Sequence, residues 1–238
     1  NPPRDVEPPT GDEGKGSPGD LGDARYPDRS RAKATNHSWW LKNLDITHYR
    51  LGYRMDKSAE RDLVAIHRDF AKSVRHKKLS DTRFRWSPPK RCLGGLQCVY
   101  ESMEKGSRDA VTPISALFEG RRSVAELSTA DLTSLVLTFV QNIRYDQPDE
   151  EPFGVLPPAV VVRQARGDCD SKALLAHMIL RDLGIDSVLI SSNAHHHTML
   201  GVRIPATGKS FTWRGARYAF LEITAERSPL GHIHPKLL

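Results

Sequence analysis

The stretch that decides the fold reads Gly167-Asp168-Cys169-Asp170-Ser171-Lys172-Ala173-Leu174-Leu175. It opens a segment whose apolar residues repeat at helical spacing as far as Gly184, which predicts a helix over residues 169–183. The repeating apolar residues are Leu174, Leu175, Met178, Ile179 and Leu183. A cysteine is therefore expected in the first turn of an amphipathic helix, after a glycine that permits a tight backbone entry.

A cysteine at the start of a helix is favoured as a thiolate, because unpaired N–H groups and the positive end of the helix dipole point toward it. The dipole supplies about 0.3–1 kcal/mol, and about 2 at most. Lowering a thiol pKa from about 8.5 to the roughly 4 of a histidine-paired thiolate takes about 6 kcal/mol. A reactive Cys169 therefore requires a nearby histidine, whereas Asp168 and Asp170 are interpreted as helix-capping groups.

Short strands are predicted after the helix, over residues 187–191, 197–204, 210–213 and 217–223, with turns that fit an antiparallel meander. The second strand begins at His197, which could take the proton of the thiol and return it to a leaving amine. The fourth strand ends in Glu222, which could orient the imidazole. Cys169, His197 and Glu222 are thus the candidate nucleophile, base and orienting group.

An ordered set of motifs accompanies these residues, namely Phe139-Val-Gln141-Asn-Ile143-Arg-Tyr145, Pro158 with Val162, Gly167-Asp168-Cys169-Asp170-Ser171, Leu183-Gly184-Ile185, His197-Thr-Met199-Leu200 and Glu222-Ile-Thr224. On these motifs residues 125–235 resemble the transglutaminase-like (papain-like) cysteine protease superfamily, particularly its bacterial members. The resemblance implies an α+β fold with a Cys-His-Asp/Glu triad, in which the nucleophile begins a helix packed on an antiparallel sheet. It also implies catalysis through a thioester intermediate.

The resemblance assigns one further candidate and leaves one choice to the substrate groove. By analogy with the papain glutamine, Gln141 is the candidate oxyanion donor, together with the backbone N–H of Cys169. The family more often has Asp where this chain has Glu222. The tryptophan donor and the calcium sites of animal transglutaminases are not recognisable, so hydrolysis of a peptide or amide bond is expected rather than amine transfer. No cofactor or metal is expected.

Besides transglutaminase-type amine transfer, two alternative functions remain open from the sequence. A metal site is one, because a ligand-rich set accompanies Cys169, namely His195, His196, His197, His232 and His234. Adjacent histidines on a strand point to opposite faces, so at most two of the triplet could share an ion. The other alternative is a binding or scaffold module that keeps the fold without turnover.

The rest of the chain divides by composition into two further segments. Residues 1–35 are rich in Pro, Gly, Asp and Glu and poor in large apolar groups, which predicts a flexible leader or linker. Residues 36–124 are expected to form a helical and irregular extension, with a helix over residues 57–77 and short strands near 82–86 and 99–102. The core of residues 125–238 begins with a helix capped by Ser128 and ending near Tyr145.

Charge and cysteine usage bear on partners and location. The formal net charge of +6 permits acidic partners, but no nucleic-acid motif is present, and the basic residues are interpreted as a solvated surface. A protein or peptide substrate is expected; nothing indicates the oligomeric state. The chain begins at Asn1, so an upstream signal or membrane tether is possible. Cys92 and Cys98 flank a short glycine-containing loop, which predicts a disulfide, a free Cys169 and an extracytoplasmic location.

Overall fold

The computed structural model describes residues 19–41, 44, 46–80, 83–92, 96–192, 194–205 and 207–234. It has the mixed α+β class expected from the sequence. One hydrophobic core runs through the N-terminal and C-terminal elements, from Ala24 on the first strand to Ile223 after the last. In this part of the chain no helix is both long and apolar enough to cross a membrane.

The described residues contain five α-helices: α1 (Lys57–Lys72), α2 (Gln97–Ala125), α3 (Thr129–Asn142), α4 (Pro158–Gln164) and α5 (Cys169–Asp182). The side chains of Ser128 and Asp168 cap α3 and α5, accepting hydrogen bonds from the N–H groups of Asp131 and Ser171. These contacts confirm both predicted caps. Helix α5 ends next to Gly184, whose φ of +74° is a left-handed conformation that glycine adopts without a steric penalty.

The strands are β1 (Asp20–Tyr26), β2 (Thr35–Trp40), β3 (His48–Met55), β4 (Arg75–Ser80), β5 (Arg83–Ser87), β6 (Arg144–Tyr145), β7 (Arg166–Gly167), β8 (Ser187–Ser192), β9 (His197–Val202), β10 (Ser210–Trp213) and β11 (Ala216–Leu221). They form a sheet in the order β1-β3-β2, a sheet in the order β10-β11-β9-β8, and the pairs β4-β5 and β6-β7. All pairs of the four-stranded sheet are antiparallel, as predicted. The predicted meander is wrong, because β11 lies between β9 and β10.

The packing of one phenylalanine fits this strand order. Strand β11 places Phe220 opposite Gly201 of β9. A Cβ atom at Gly201 would come within 2.5 Å of the ring of Phe211, which reaches over from β10. Phe211 also contacts Phe220, with ring centroids 4.9 Å apart. Because position 201 is a glycine, the ring of Phe211 on the outer strand β10 has room to pack over the inner strand β9.

Helix α5 lies at the centre of the molecule. It contacts α2, α3 and α4 as well as strands β8 and β9 of the antiparallel sheet. From Cys169 to Leu180 every residue except Asp170 is buried, so the buried face is wider than the apolar repeat alone predicts. Even Lys172 is only 1% exposed, and its Nζ donates to the carbonyls of Gln141 and Ile143 at the end of α3.

The predicted flexible leader is wrong over Asp20–Tyr26, which form strand β1. This strand pairs in parallel with β3, and its polar side chains are used in cross-strand contacts. Arg54 binds Asp23 at 2.6 Å, and Ala24 is only 3% exposed in the core. A strand with few apolar groups is thus ordered by main-chain pairing and ion pairs, while residues 1–18 lie outside the described residues.

The predicted irregular segment before residue 124 is also wrong, because α2 is a continuous helix of 29 residues. It includes Pro113 and replaces the short strand predicted near residues 99–102. The helix is held by a face that points into the core, formed by Val99, Met103, Ala110, Val111, Ile114 and Phe118. The strand predicted near residues 82–86 corresponds to β5.

Candidate active site

Cys169 is the first residue of α5, and the backbone before it is fixed from two sides. Gly167 pairs with Tyr145 across the short β6-β7 ladder. Asp168 caps the helix through the Ser171 N–H at 2.9 Å. A Cβ at Gly167 would lie 3.2–3.3 Å from Val161 and Ser171, so a larger residue would press on the helix start. The cysteine side chain is nearly buried, with 6% of the residue exposed.

His197 and Glu222 are in direct contact, as the sequence predicts. His197 Nε2 lies 2.8 Å from Glu222 Oε2, and the two side chains are 16% and 5% exposed. The second carboxylate oxygen accepts hydrogen bonds from the N–H and the hydroxyl of Thr224, at 2.9 and 2.6 Å. Burial opposes ionisation, but the hydrogen bonds from His197 and Thr224 outweigh it and lower the pKa of Glu222 to about 2.

The ionised carboxylate fixes how the imidazole can act. A carboxylate only accepts hydrogen bonds, so Nε2 of His197 must carry the proton that it shares with Glu222. The Nδ1 of a neutral His197 then has a free lone pair and can accept a proton. This is the arrangement that a general base requires.

Thr198, the next residue on β9, connects this histidine to the thiol. A backbone hydrogen bond from Thr198 acts on Cys169, and the Thr198 hydroxyl donates to Asp170 Oδ1 at 2.6 Å. Asp170 also accepts a hydrogen bond from the Tyr100 hydroxyl. The start of α5 and the start of β9 are therefore joined by hydrogen bonds, which brings Cys169 to the strand that carries His197.

The charge around the thiol is opposite to what the helix-start position predicts. Burial raises the pKa of Cys169, and the negative charges of Asp170 and Asp168 raise it further. The sulfur lies 3.9 Å from Asp170 Oδ2. Backbone hydrogen bonds from Thr198 and Asp170 only partly offset these effects. These effects favour the protonated thiol, and they oppose the stabilisation of a thiolate that the helix-start position predicts.

Gln141 is not placed to serve as the expected oxyanion donor. Its Nε2 donates to the backbone carbonyls of Glu222 and Ser228, at 2.8 and 2.9 Å, and the residue is buried. An amide nitrogen has two hydrogens, and both are used. Gln141 instead ties the end of α3 to the chain around Glu222, so the assigned role is corrected to a structural one.

Two residues near the thiol were not identified as functional from the sequence. Asp170, interpreted as a capping group, instead binds Tyr100 and Thr198 through its carboxylate. Tyr145 is half exposed, and burial together with the charges of Cys169, Asp168 and Asp170 raises its pKa to about 12. The sequence places Asp170 directly after Cys169 and Tyr145 at the end of one of the resembling motifs, but it does not show their folded contacts.

The potential metal ligands of the described residues gather around Cys169, but without the predicted histidines. Only Asp168, Cys169 and Asp170 offer three ligand atoms close together there, within 4.8 Å of one another. None of the histidines of the alternative metal site belongs to this group. The two carboxylates of the cluster, Asp168 and Asp170, raise the pKa of the thiol and so already act as local negative charges.

Comparison of this chain with family models, with curated proteins and with solved structures finds no match in any of the three.

Proposed function

We propose that this protein is a cysteine-dependent acyl-transfer enzyme that hydrolyses a peptide or amide bond, with a core of the transglutaminase-like kind. The observation that carries the proposal is the 2.8 Å contact between His197 Nε2 and Glu222 Oε2. The residue after His197, Thr198, makes a backbone hydrogen bond to Cys169. The contact with Glu222 orients the imidazole and leaves its Nδ1 available for proton transfer with the thiol of Cys169 at the start of α5.

The reaction begins from a thiol rather than from an ion pair. As Sγ of Cys169 attacks the carbonyl carbon, its proton passes to Nδ1 of His197. The tetrahedral intermediate then expels the amine, which takes the proton from Nδ1, and the acyl group stays on sulfur as a thioester. Water attacks the thioester and gives a proton to Nδ1, and the departing sulfur regains it. Two products form, an amine and a carboxylic acid, and the enzyme is restored.

Two groups remain as donors to the oxyanion once Gln141 is used elsewhere. The backbone N–H of Cys169 stands at the first helical position, where the helix itself provides no acceptor. The Tyr145 hydroxyl carries its proton at neutral pH, as a phenol with the ordinary pKa of 10 does, and its pKa is raised further to about 12. We assign oxyanion stabilisation to these two groups.

The proposed location is extracytoplasmic. Cys92 and Cys98 form a disulfide with a Cα–Cα distance of 5.7 Å, while Cys169 is free. Disulfides persist in oxidising compartments, so a secreted or periplasmic polypeptide is the substrate class that fits this site. Thiol titration of the unreduced protein is expected to find one free thiol.

The test incubates the wild type with a mixture of peptides and a labelled primary amine, followed by mass spectrometry. New cleavage products are expected in the wild type and none in Cys169→Ala or His197→Ala. His195→Ala is the matched histidine control, because His195 is an exposed neighbour outside the Glu222 contact, and it should cleave normally. Amine incorporation without cleavage would establish the transferase alternative, and the absence of both would leave the scaffold alternative.

A further inference from the structure

The net positive charge of the chain is concentrated in one short segment. Residues 75–91 contain seven of the 35 Lys and Arg residues but one of the 29 Asp and Glu residues. The rest of the chain therefore has 28 of each and is formally neutral. A surplus that equals the entire +6 of the protein lies on the β4-β5 hairpin and the turn after it. We call residues 75–91 the basic hairpin.

Three cations of the basic hairpin lie on one exposed face without a counter-charge among the described residues. All six residues of β4 are exposed, and Lys77 lies directly opposite Arg85. Like charges at opposed positions of an antiparallel pair repel one another. Within the described part of the chain, no ion pair or hydrogen bond involves the side chains of Arg75, Lys77 or Arg85. An anionic ligand at this face would relieve the repulsion and gain several charge contacts.

The aromatic rings on the other face of the basic hairpin are packed against the protein. Phe84 and Trp86 both contact Phe153, with ring centroids 5.1 and 5.5 Å apart. Single-stranded nucleic acid is bound by stacking bases on free aromatic rings, and these rings are occupied. The two strands pair with each other and, among the described residues, with no third strand. Unpaired strand edges beside cations fit an extended polypeptide with carboxylate side chains.

The basic hairpin also contacts a loop that begins next to the proposed active site. Lys78 Nζ donates to the Asp149 carbonyl at 3.2 Å, in the loop that follows Tyr145. A cavity of about 430 Å³ lies between the basic hairpin, α1 and this loop, and residues of all three line it. Two acidic groups of the loop have cationic partners elsewhere, since Glu150 pairs with Arg166 and Glu151 with Arg68. These two carboxylates therefore do not need the cations of the basic hairpin.

We propose that the basic hairpin binds an acidic, Asp- and Glu-rich extended segment of the polypeptide substrate, beside the part that reaches Cys169. The fate of the bound segment rests on the proposed hydrolase function, but binding itself does not. The anionic side chains face Arg75, Lys77 and Arg85. The alternate side chains of the extended segment point to the opposite face of the hairpin, where His76, Lys78 and Phe84 line the cavity. The hairpin thereby selects substrates with an acidic stretch flanking the cleaved bond.

The test measures binding of fluorescein-labelled poly-L-glutamate to the Cys169→Ala protein by fluorescence anisotropy, at low and at raised salt. Reversing two charges with Lys77→Glu and Arg85→Glu is expected to weaken binding about tenfold or more at low salt. The matched control reverses two exposed lysines elsewhere, Lys105→Glu and Lys209→Glu, and should change the affinity by less than about twofold despite the same net charge. Circular dichroism checks that both double variants are folded.

Several outcomes decide the proposal. Equal weakening by both double variants would show a general charge effect and overturn it, as would no binding of poly-L-glutamate. Hairpin-dependent binding of an oligothymidylate or of phosphatidylserine vesicles, with poly-L-glutamate unbound, would overturn the polypeptide assignment. Hairpin-dependent binding of poly-L-glutamate, in a protein whose wild type cleaves nothing, would support the docking site and refute the hydrolase function. Cleavage whose rate depends neither on acidic residues beside the cleaved bond nor on the hairpin substitutions would refute the docking site and support the hydrolase function.

Discussion

Asp170 controls the charge at the thiol, and its neutral isostere can keep its contacts. Its Oδ1 accepts the hydrogen bonds from Tyr100 and Thr198, whereas its Oδ2 faces the sulfur. In Asp170→Asn the amide oxygen can take the Oδ1 position and the NH₂ group the Oδ2 position. Because the negative charge is lost beside the sulfur, the pKa of the Cys169 thiol should fall. Alkylation by iodoacetamide, followed by mass spectrometry across pH, should then begin at lower pH than in the wild type.

Asp182→Asn is the matched control for this variant, because it removes the same charge at the far end of α5. It should leave the alkylation profile unchanged. A profile of Asp170→Asn that coincides with the wild type would contradict the role assigned to this carboxylate.

The lowered pKa of Glu222 makes the stability of the protein depend on pH in the acid range. Its folded pKa of about 2 lies below the ordinary value of 4.5, so its stabilising contribution is complete above pH 4.5 and is lost as the pH falls toward 2. Glu222→Gln should therefore lower the free energy of unfolding by roughly 1–3 kcal/mol at neutral pH. The difference from the wild type should shrink between pH 4.5 and 2. Urea unfolding followed by circular dichroism measures both, and a pH-independent difference would contradict the assignment.

Asp62→Asn is the control for the acid series, since Asp62 is an exposed carboxylate on α1. It should change the unfolding free energy little at any pH.

At the scale of single residues, local sequence patterns predicted the contact between His197 and Glu222 but not the role of Gln141. The histidine and the glutamate stand at ends of recognisable strands, where a period-2 pattern sets their direction. Gln141 lies on a helix, and its partners are carbonyls 81 and 87 residues away. No pattern around position 141 could show that both of its amide hydrogens would be occupied. The raised thiol pKa was missed for a similar reason, because it depends on burial by distant elements.

The contact between α3 and α5 depends on a buried lysine. Burial lowers the pKa of Lys172 to about 8, although the charges of Glu226 and Glu222 act in the opposite direction. The ordinary value is 10.5, so between pH 8 and 10.5 the unfolded chain binds a proton that the folded chain has released. The contribution of Lys172 to the stability of the wild type should therefore rise with pH across this window, by roughly 1–3 kcal/mol.

Lys172→Met should abolish this rise and leave the carbonyls of Gln141 and Ile143 without their donor. The variant should fall further below the wild type as the pH increases from 8 to 10.5. Guanidinium unfolding at several pH values measures the gap, and Lys105→Met, an exposed lysine of α2, is the control that should show none. A gap that narrows with pH would refute the depressed pKa.

The packing of α1 on α2 shows where periodicity fails at the scale of elements. Ile66 belongs to the apolar residues of the helix predicted over residues 57–77, but it is 46% exposed, whereas His67 beside it is buried. The imidazole of His67 pairs with the Pro152 carbonyl at 2.9 Å, which satisfies a polar group inside the protein. Ile66 instead lies against Gly106 of α2, where an added Cβ would come within 3.1 Å. A glycine that disfavours a helix in isolation is thus used for close helix packing.

At the scale of the whole molecule, the segment before residue 35 changes from an expected tether into part of the fold. The composition argument considered only how much apolar surface the segment could bury. Strand β1 is ordered mainly by pairing with β3, a partner that lies outside the segment and that composition cannot reveal. Such a strand closes one side of the three-stranded sheet and also contacts α2.

Removal of β1 should therefore destabilise the entire protein rather than trim a loose end. A chain that begins at residue 35 loses the ladder with β3, the buried Ala24 and the ion pair between Asp23 and Arg54, and it exposes an edge of the sheet. Compared with a chain that begins at residue 19, we expect it to melt at least about 10 °C lower. Thermal circular dichroism of the two chains under the same conditions measures the difference. Equal melting temperatures would mean that β1 adds no stability and would restore the interpretation of this segment as a linker.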